Sequence, residues 1–152
     1  MDKQFAVRRV RQRDLDRILE IETASFGADA YDRKLFAEYT RECGGLFLVA
    51  ERGTKVCAYS IAAISPARPG DRAELVSVAV DPAFLGKGAA SALMDSTLRR
   101  LRRRKITRLV LKVKLSNQRA RAFYQKYGFR KLRRVARYYE DGADALSLAK
   151  DL

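Results

Sequence analysis

The chain has 152 residues, of which 47% are hydrophobic, and this suffices for one core while leaving no room for a second. Its formal net charge is +14, so partners that carry many positive charges, such as polyamines or lysine-rich tails, would be repelled. Two cysteines and no histidine exclude a zinc site and a Cys-His nucleophile. The sequence therefore predicts a single globular domain, residues 1–152, that holds no metal ion.

The N-terminal residues lack the apolar run of a secretory signal. No stretch approaches the roughly eighteen apolar residues of a membrane span. Cys43 and Cys57 follow no metal-ligand spacing, and reduced thiols are the default state for such a pair. We therefore expect a cytoplasmic protein without membrane contact.

The N-terminal third predicts one strand and two helices. Residues 5–10 have the character of a short strand. Apolar residues at helical spacing then predict a helix that is capped by Asp14 and ends near Gly27. A second helix is expected over residues 32–43, and the glycines at 44 and 45 end it.

The middle third predicts strands and a third helix. Apolar runs at 46–51 and 56–64 flank a four-residue segment, Arg52 to Lys55, which is typical of a hairpin turn between antiparallel strands. A surface loop is expected over 66–70, followed by a strand over 72–80. After a glycine turn, a helix runs to about Arg104.

The last third completes a mixed α/β pattern. Residues 108–115 alternate apolar and basic side chains, as a strand with one buried face does. Asn117 predicts a helix cap, and Gly128 closes that helix. Residues 130–139 and 145–150 predict a hairpin. Because a helix joins the strands at 72–80 and 108–115, we expect these to be parallel, in a mixed sheet with helices on both faces.

The stretch from Leu75 to Met94 carries the clearest chemical signal. A β-branched strand stops at Asp81, and Gly86 and Gly88 precede a helix. Such a turn directs unpaired backbone N–H groups and the positive end of the helix dipole towards one place, which suits a phosphate. The residues after Gly88 do not fit a P-loop or a dinucleotide fingerprint. A tight turn without a ligand is the alternative interpretation.

The positive charge is concentrated at 99–105 and 130–137. A solvated basic face explains any single arginine, and cations suit the negative end of a helix. Together these charges would attract a polyanion, for which a phosphate-bearing cofactor, an acidic peptide and RNA are the candidates. Contact with nucleic acid is thus suggested by net charge alone.

Several blocks of residues in the second half stand at a spacing shared by a known family. They are Val78-Ala79-Val80-Asp81-Pro82, Gly86-Lys87-Gly88-Ala89-Ala90, Ser116-Asn117, Ala122-Phe123-Tyr124, Tyr127-Gly128-Phe129 and Tyr138 to Ala145. On these blocks, the chain from Glu74 to Leu152 resembles the GNAT acetyltransferase superfamily. Within it, the chain resembles the N-terminal acetyltransferases, including the bacterial family that acetylates the N-terminal alanine of a ribosomal protein. The resemblance implies a central mixed sheet of about seven strands.

The resemblance also implies the substrates and the site residues. Acetyl-CoA would be the donor, and the acceptor would be the α-amine of a protein or peptide N-terminus, in one branch a ribosomal protein. Tyr124 would give a proton to the departing CoA thiolate. Donor contacts would come from Val78, Ala79, Val80, Gly86, Lys87, Gly88, Ala89, Ala90, Ser91 and Asn117. Acceptor contacts would come from Phe26, Tyr31, Tyr138 and Tyr139.

Two positions depart from the family. Lys112 stands where the family has a glutamate general base, and a charged lysine cannot take a proton. We expect Glu74 to act as the substitute, with an ordinary exposed charge as the alternative. Leu85 and Gly86 stand where the family often has Arg or Gln, which leaves mainly backbone donors and Lys87 for the phosphates.

The absence of the family's general base favours an α-amine as the acceptor over a lysine side chain. With a pKa of about 7.7 to 8.0, an α-amine is roughly one tenth neutral at pH 7, so leaving its deprotonation to solvent costs about 1 kcal/mol. A lysine with a pKa of about 10.4 would cost about 4.6 kcal/mol. The alternatives are a lysine or small-molecule amine acetyltransferase, an acyl-CoA-binding protein that has lost catalysis, and a nucleic-acid-binding module.

Overall fold

The computed structural model describes residues 4–27, 30–65 and 71–152, so the loop predicted over 66–70 lies outside the described residues. These ranges contain four α-helices and seven strands. They are β1 (Ala6–Arg9), α1 (Leu15–Phe26), α2 (Arg33–Cys43), β2 (Phe47–Arg52), β3 (Lys55–Ile64), β4 (Arg72–Val80), α3 (Ala89–Arg103), β5 (Arg108–Lys114), α4 (Gln118–Lys126), β6 (Arg130–Val135) and β7 (Ala145–Asp151). The strand order in the mixed sheet is β1-β2-β3-β4-β5-β7-β6, which confirms the predicted fold class.

The chain forms two compact units. The first comprises Met1–Ala63 and Leu75–Arg104, and the second comprises Ile64–Glu74 and Lys105–Leu152. Strand β4 therefore begins in the second unit and ends in the first. No helix of the described residues is long and apolar enough to cross a membrane.

In the first unit, helices cover both faces of the antiparallel strands β1, β2 and β3. Arg52 pairs with Lys55, so the β2–β3 hairpin closes through a two-residue turn at the predicted place. One face packs against α1 and α2 through the buried residues Leu15, Ile18, Phe36, Phe47, Tyr59 and Ile61. The other face packs against α3 through Leu48, Ala50, Ala58, Ala89 and Leu93. This arrangement follows from strand periodicity, because successive side chains point to opposite faces.

The start of α1 differs from the prediction in one respect. Asp14 occupies the N-cap position, but its carboxylate does not bond to the helix that follows. It accepts hydrogen bonds from the Arg8 guanidinium at 2.9 Å and from the Arg11 backbone N–H at 2.7 Å. Burial alone would raise the pKa of Asp14, but these two bonds outweigh it and leave the pKa below its ordinary value. The carboxylate thus ties β1 to the start of α1.

Part of the basic cluster has a structural role in the first unit. The guanidinium groups of Arg9, Arg100 and Arg104 gather around Gly44 and Gly45, where α2 ends. Arg100 donates a hydrogen bond to the Gly45 carbonyl at 3.1 Å. Burial first, and then the neighbouring arginines, lower the pKa of Arg100. Because cations stabilise the negative end of a helix, these arginines stabilise the C-terminus of α2.

In the second unit, the start of β4 runs parallel to β5, as the helical crossover predicts. Glu74 is the register partner of Val110. Strand β5 also pairs antiparallel with β7, and β7 pairs antiparallel with β6. Helix α4 begins at its predicted cap, because the Asn117 side-chain oxygen accepts the Ala120 N–H at 3.1 Å. It ends before Gly128, whose φ of 87° requires glycine.

Candidate functional site

The turn between β4 and α3 is open at its glycines. Gly86 has φ 76° and Gly88 has φ 97°, in the left-handed region that favours glycine. A Cβ atom added at Gly88 would meet no described atom within 4 Å. Gly88 directly precedes α3, and the N–H groups of the first helical turn have no acceptor within the helix. The turn thus presents backbone donors and a positive helix end to open space, as an anion site requires.

Asp81 fixes the point from which this turn departs. One of its carboxylate oxygens accepts the Ala83 N–H at 3.0 Å, and the other pairs with the Arg17 guanidinium of α1. The bond from Ala83 and the ion pair with Arg17 hold the pKa of Asp81 below its ordinary value. Arg17 also donates to the Val56 carbonyl of β3 at 2.8 Å. Helix α1 and strand β3 therefore hold the end of β4 in place.

The donor-binding residues predicted on the first unit form one continuous segment. Val78, Ala79 and Val80 are the last residues of β4, and of these Ala79 is buried. Lys87 is exposed in the turn, Ala89 is buried, and Ala90 and Ser91 are half-buried at the start of α3. The strand end, the turn and the helix start thus lie together in the structure, as a strand-turn-helix anion site predicts.

Two predicted acceptor contacts also belong to the first unit. Phe26 is the last residue of α1, and its side chain is 41% exposed. Tyr31 is half-buried, with its ring centroid 5.9 Å from that of Phe36. Residues 28 and 29, which lie between them in the chain, are outside the described ranges.

Tyr124 lies on α4 in the second unit, where aromatic rings surround it. Its ring centroid is 5.5 Å from that of Phe123 and 5.4 Å from that of Phe129, both in edge-on contact. Burial first, with a contribution from Tyr139, raises the pKa of Tyr124 to about 12. The phenol therefore keeps its proton at neutral pH, which is the state that a general acid needs.

Asn117 serves as the cap of α4 through its side-chain oxygen alone. Its side-chain nitrogen has no acceptor among the residues that the structure describes. Capping and ligand binding are therefore compatible at this residue, because the amide nitrogen is a separate donor.

Two lysines of β5 lie against a pair of tyrosines that follow β6. Lys112 Nζ is 5.4 Å from the Tyr138 ring centroid, and Lys114 Nζ is 5.2 Å from that of Tyr139. Lys114 also pairs with Asp141 at 2.9 Å, whereas Lys112 has no carboxylate partner in the described part of the chain. A cation–π contact requires the ammonium form of lysine. Lys112 is thus placed as a cation beside Tyr138, not as a base.

Glu74, the predicted substitute base, is exposed on β4. It makes no side-chain hydrogen bond or ion pair with another described residue. Its role in catalysis therefore stays a prediction.

Comparison with known proteins agrees with the strand-turn-helix arrangement. A model of the acetyltransferase (GNAT) family matches residues 10–129. The chain belongs to the GNAT acetyltransferase family. An N-alpha-acetyltransferase of Saccharolobus solfataricus is 29% identical, over 99% of this chain and 95% of the relative. A ribosomal-protein-bS18-alanine N-acetyltransferase of Escherichia coli strain K12 is 31% identical, over 78% of this chain and 79% of the relative.

The GNAT fold is also evident from solved structures. The crystal structure of Ard1 from Thermoplasma volcanium matches with a TM-score of 0.92 at 26% identity, over 98% of both chains. The family match confirms the expectation of an acetyltransferase that uses acetyl-CoA. The roles of individual residues in this GNAT protein remain predictions.

One polar cluster of this GNAT protein was missed by sequence reasoning. Glu22 is 1% exposed on α1 and bonds to Tyr59, which is fully buried in β3. Tyr59 in turn bonds to Ser77 of β4 at 3.0 Å. A signal was present, because Glu22 continues the spacing of the buried residues Leu15 and Ile18. An acid within an apolar helical stripe calls for a buried partner.

An open groove of about 740 Å³ lies on a different part of the first unit and is lined by none of the predicted GNAT site residues. Arg8 pairs there with Asp14 and Glu51, and Arg17 with Glu20, so that its four cations and three carboxylates leave a formal charge of only +1. It therefore offers little net charge to a ligand. Among the described residues, no group of three or more His, Cys, Asp or Glu side chains could hold a metal ion.

Proposed function

We propose that this protein transfers the acetyl group of acetyl-CoA to the N-terminal α-amine of a protein or peptide. Ribosomal proteins are candidate acceptors, since one relative is named for acetylating a ribosomal protein. We also propose that it acts in the cytoplasm. Its two cysteines are free and buried, as in a reducing compartment.

The observation that carries the choice of an α-amine is the placement of Lys112 and Lys114 against Tyr138 and Tyr139. These cations stand where the family resemblance puts acceptor contacts, so they repel any charged acceptor amine and favour the amine with the larger neutral fraction at pH 7. An α-amine needs less help from a base than a lysine amine does, by about 3.6 kcal/mol at pH 7. A GNAT protein with a lysine in place of the family's glutamate is therefore suited to α-amines.

The residues of the chain take separate roles in the reaction. The N–H groups that follow Gly88, with Lys87, would bind the pyrophosphate of the donor. The backbone of Val78 to Val80 would pair with the amides of the pantetheine arm, as an added strand pairs with a sheet edge. The amine attacks the thioester carbonyl, the C–S bond breaks, and Tyr124 would give its proton to the thiolate.

The same two lysines indicate a preference among acceptors. Lys112 carries a charge without a carboxylate partner in the described part of the chain, and Tyr138 beside it is 49% exposed. An acidic side chain at the second or third position of the acceptor could supply that partner. We therefore expect acidic peptides to bind more tightly than basic ones, by about tenfold for each charge pair formed.

A panel of short peptides tests the proposal, with release of the CoA thiol as the measurement. Peptides with a free α-amine should be acetylated, and the same peptides with a blocked N-terminus and an internal lysine should not. Matched pairs with Asp or Lys at positions two and three measure the charge preference. Turnover on lysine but not on α-amines would point to the lysine acetyltransferase alternative. Tight acetyl-CoA binding without any turnover would point to a CoA-binding protein.

A further inference from the structure

A buried carboxyl group of the first unit has no role in the reaction described above. One oxygen of Glu22 accepts the backbone N–H of Tyr31 at 2.9 Å. The other accepts the hydroxyl of Tyr59, whose oxygen lies 3.0 Å from Ser77 Oγ. Glu22 and Tyr59 are 1% and 0% exposed, while Ser77 is half-buried on β4. The three side chains form a continuous series of hydrogen bonds from the core to β4.

The directions of these hydrogen bonds follow from counting hydrogens. Tyr59 has a single hydroxyl hydrogen, and it donates that hydrogen to Glu22. The bond between Tyr59 and Ser77 must then use the hydrogen of Ser77. The remaining lone pairs of Ser77 Oγ are thus free to accept a hydrogen from a third group. An ammonium or amine N–H is such a donor.

Ser77 is also placed where the reacting end of the donor is expected. The glycine turn would hold the pyrophosphate at the end of β4, and the pantetheine arm would run back along Val80, Ala79 and Val78. The thioester lies at the far end of that arm. Ser77 is the next residue of the strand, about 3.3 Å further along. The acceptor amine must approach the thioester carbon at this level of β4.

We propose that Glu22 accepts the proton of the acceptor ammonium through Tyr59 and Ser77. The inference rests on the proposed function. The ammonium gives one proton to Ser77 Oγ while Ser77 gives its own to Tyr59 and Tyr59 gives its own to Glu22. The neutral amine then attacks the acetyl carbon, the N–C bond forms and the C–S bond breaks. The nitrogen loses its second proton to solvent as the amide forms, the thiolate takes a proton from Tyr124, and Tyr124 regains one from solvent. Glu22 returns its proton to solvent through Tyr59 and Ser77.

Each member of the series has one role. Ser77 would contact the amine and is the catalytic residue, whereas Glu22 and Tyr59 act through it. Burial, and then the Glu22 carboxylate, raise the pKa of Tyr59, so Tyr59 stays a phenol and only passes protons. Glu22 is the one member with a carboxylate group, which is the group of the three that can accept and keep a proton. It also holds the Tyr31 backbone, so an experiment must separate proton transfer from support of the chain at Tyr31.

The test is the pH dependence of kcat/KM for one α-amino peptide between pH 6 and pH 9.5. At pH 6.5 only about one α-amine in twenty is neutral, so a base raises kcat/KM there by up to about twentyfold and changes little at pH 9. We expect wild-type activity to persist at low pH. Tyr59→Phe and Ser77→Ala should lose about tenfold at pH 6.5 and less than twofold at pH 9. Ser77→Thr, which keeps the hydroxyl, should retain the wild-type profile.

Several controls keep the outcomes distinct. Glu22→Gln should show the same low-pH loss, but its amide has one acceptor oxygen for two donors, so its thermal midpoint must be measured too. Tyr59→Phe leaves the bond between Glu22 and Tyr31 in place and so separates proton transfer from support of the chain at Tyr31, with its thermal midpoint measured as well. Lys112→Glu in the Tyr59→Phe background should restore activity at low pH by supplying a carboxylate. Glu74→Gln tests the other predicted base, so its pH profile is measured beside that of Tyr59→Phe.

Two results would overturn the relay while the proposed function stands. One is an equal loss at pH 6.5 and pH 9 in Tyr59→Phe, which would mean a purely structural role. The other is a loss of low-pH activity in Glu74→Gln but not in Tyr59→Phe, which would assign the base to Glu74. A wild-type protein that acetylates no α-amine at any pH would overturn the proposed function, and the relay with it.

Discussion

Replacing Tyr124 with phenylalanine removes one hydroxyl group and keeps the ring in its contacts with Phe123 and Phe129. The hydroxyl has no hydrogen-bond partner among the described residues, so the free energy of unfolding should change by less than about 1 kcal/mol. If Tyr124 protonates the thiolate, kcat should fall by about 10² to 10⁴, which corresponds to about 2.7 to 5.5 kcal/mol of transition-state stabilisation. The dissociation constant of acetyl-CoA should stay within about twofold of wild type.

The assay combines thiol release with calorimetric titration of acetyl-CoA and a thermal melt. Tyr127→Phe is the matched control, since it removes a hydroxyl just beyond the same helix while its ring stays near Phe123. A general acid works only while protonated, and a pKa of about 12 keeps Tyr124 protonated well above neutral pH. The kcat of wild type should therefore show no alkaline decline between pH 7 and pH 10. A Tyr124→Phe protein with kcat within threefold of wild type would return Tyr124 to a packing role.

Three further predictions test other parts of the molecule. Gly88→Val should raise the acetyl-CoA dissociation constant at least tenfold with the fold intact, because the added side chain would occupy the open space beside Gly88, whose φ is 97°. Unchanged affinity in calorimetric titration would show that the turn has a structural role only. Lys112→Glu should raise KM about tenfold for peptides that are acidic at positions two and three, and should not raise it for neutral peptides. Steady-state kinetics on matched peptides measure this, and an equal rise of KM for both kinds of peptide would contradict it. Asp14→Asn should destabilise the fold by about 2 kcal/mol at pH 7, since the Arg8 cation loses one of its two carboxylate partners and keeps Glu51. Because the folded pKa of Asp14 is lowered, that stabilisation is present above the unfolded value of about 3.9 and is lost as the pH falls below it, so urea melts at pH 7 and pH 3 should differ in the size of the effect.

Local patterns in the sequence were enough to place the elements of the fold. The strand over 72–80 and the helix cap at Asn117 agree with the structure, because strand periodicity and capping depend on residues a few positions apart. The turn at Gly86 and Gly88 could also be predicted from the sequence, since a positive φ before a helix is a local requirement. The family resemblance then assigned these elements to an acetyl-CoA site.

The hydrogen-bond and ion-pair partners of polar side chains could not be predicted from local sequence patterns. The sequence marks Asp14 as a helix cap, but its carboxylate bonds to Arg8, because β1 and α1 meet only in the folded chain. In the sequence, Lys112 indicated only that the family's general base is missing. In the structure its side chain lies against the ring of Tyr138, which follows 26 residues later in the chain.

Composition and spacing by themselves determined the fold class, the glycine turn and the residue types available for catalysis. Only the tertiary structure brought Glu22 to Tyr59 across 37 positions of sequence, and then to Ser77. The reason is physical: hydrophobic periodicity decides which face of an element is buried, but a buried carboxyl group must find its hydrogen-bond partners on whichever elements pack against it. Those partners are fixed by the packing of α1, β3 and β4 against one another, and no local sequence pattern specifies that packing.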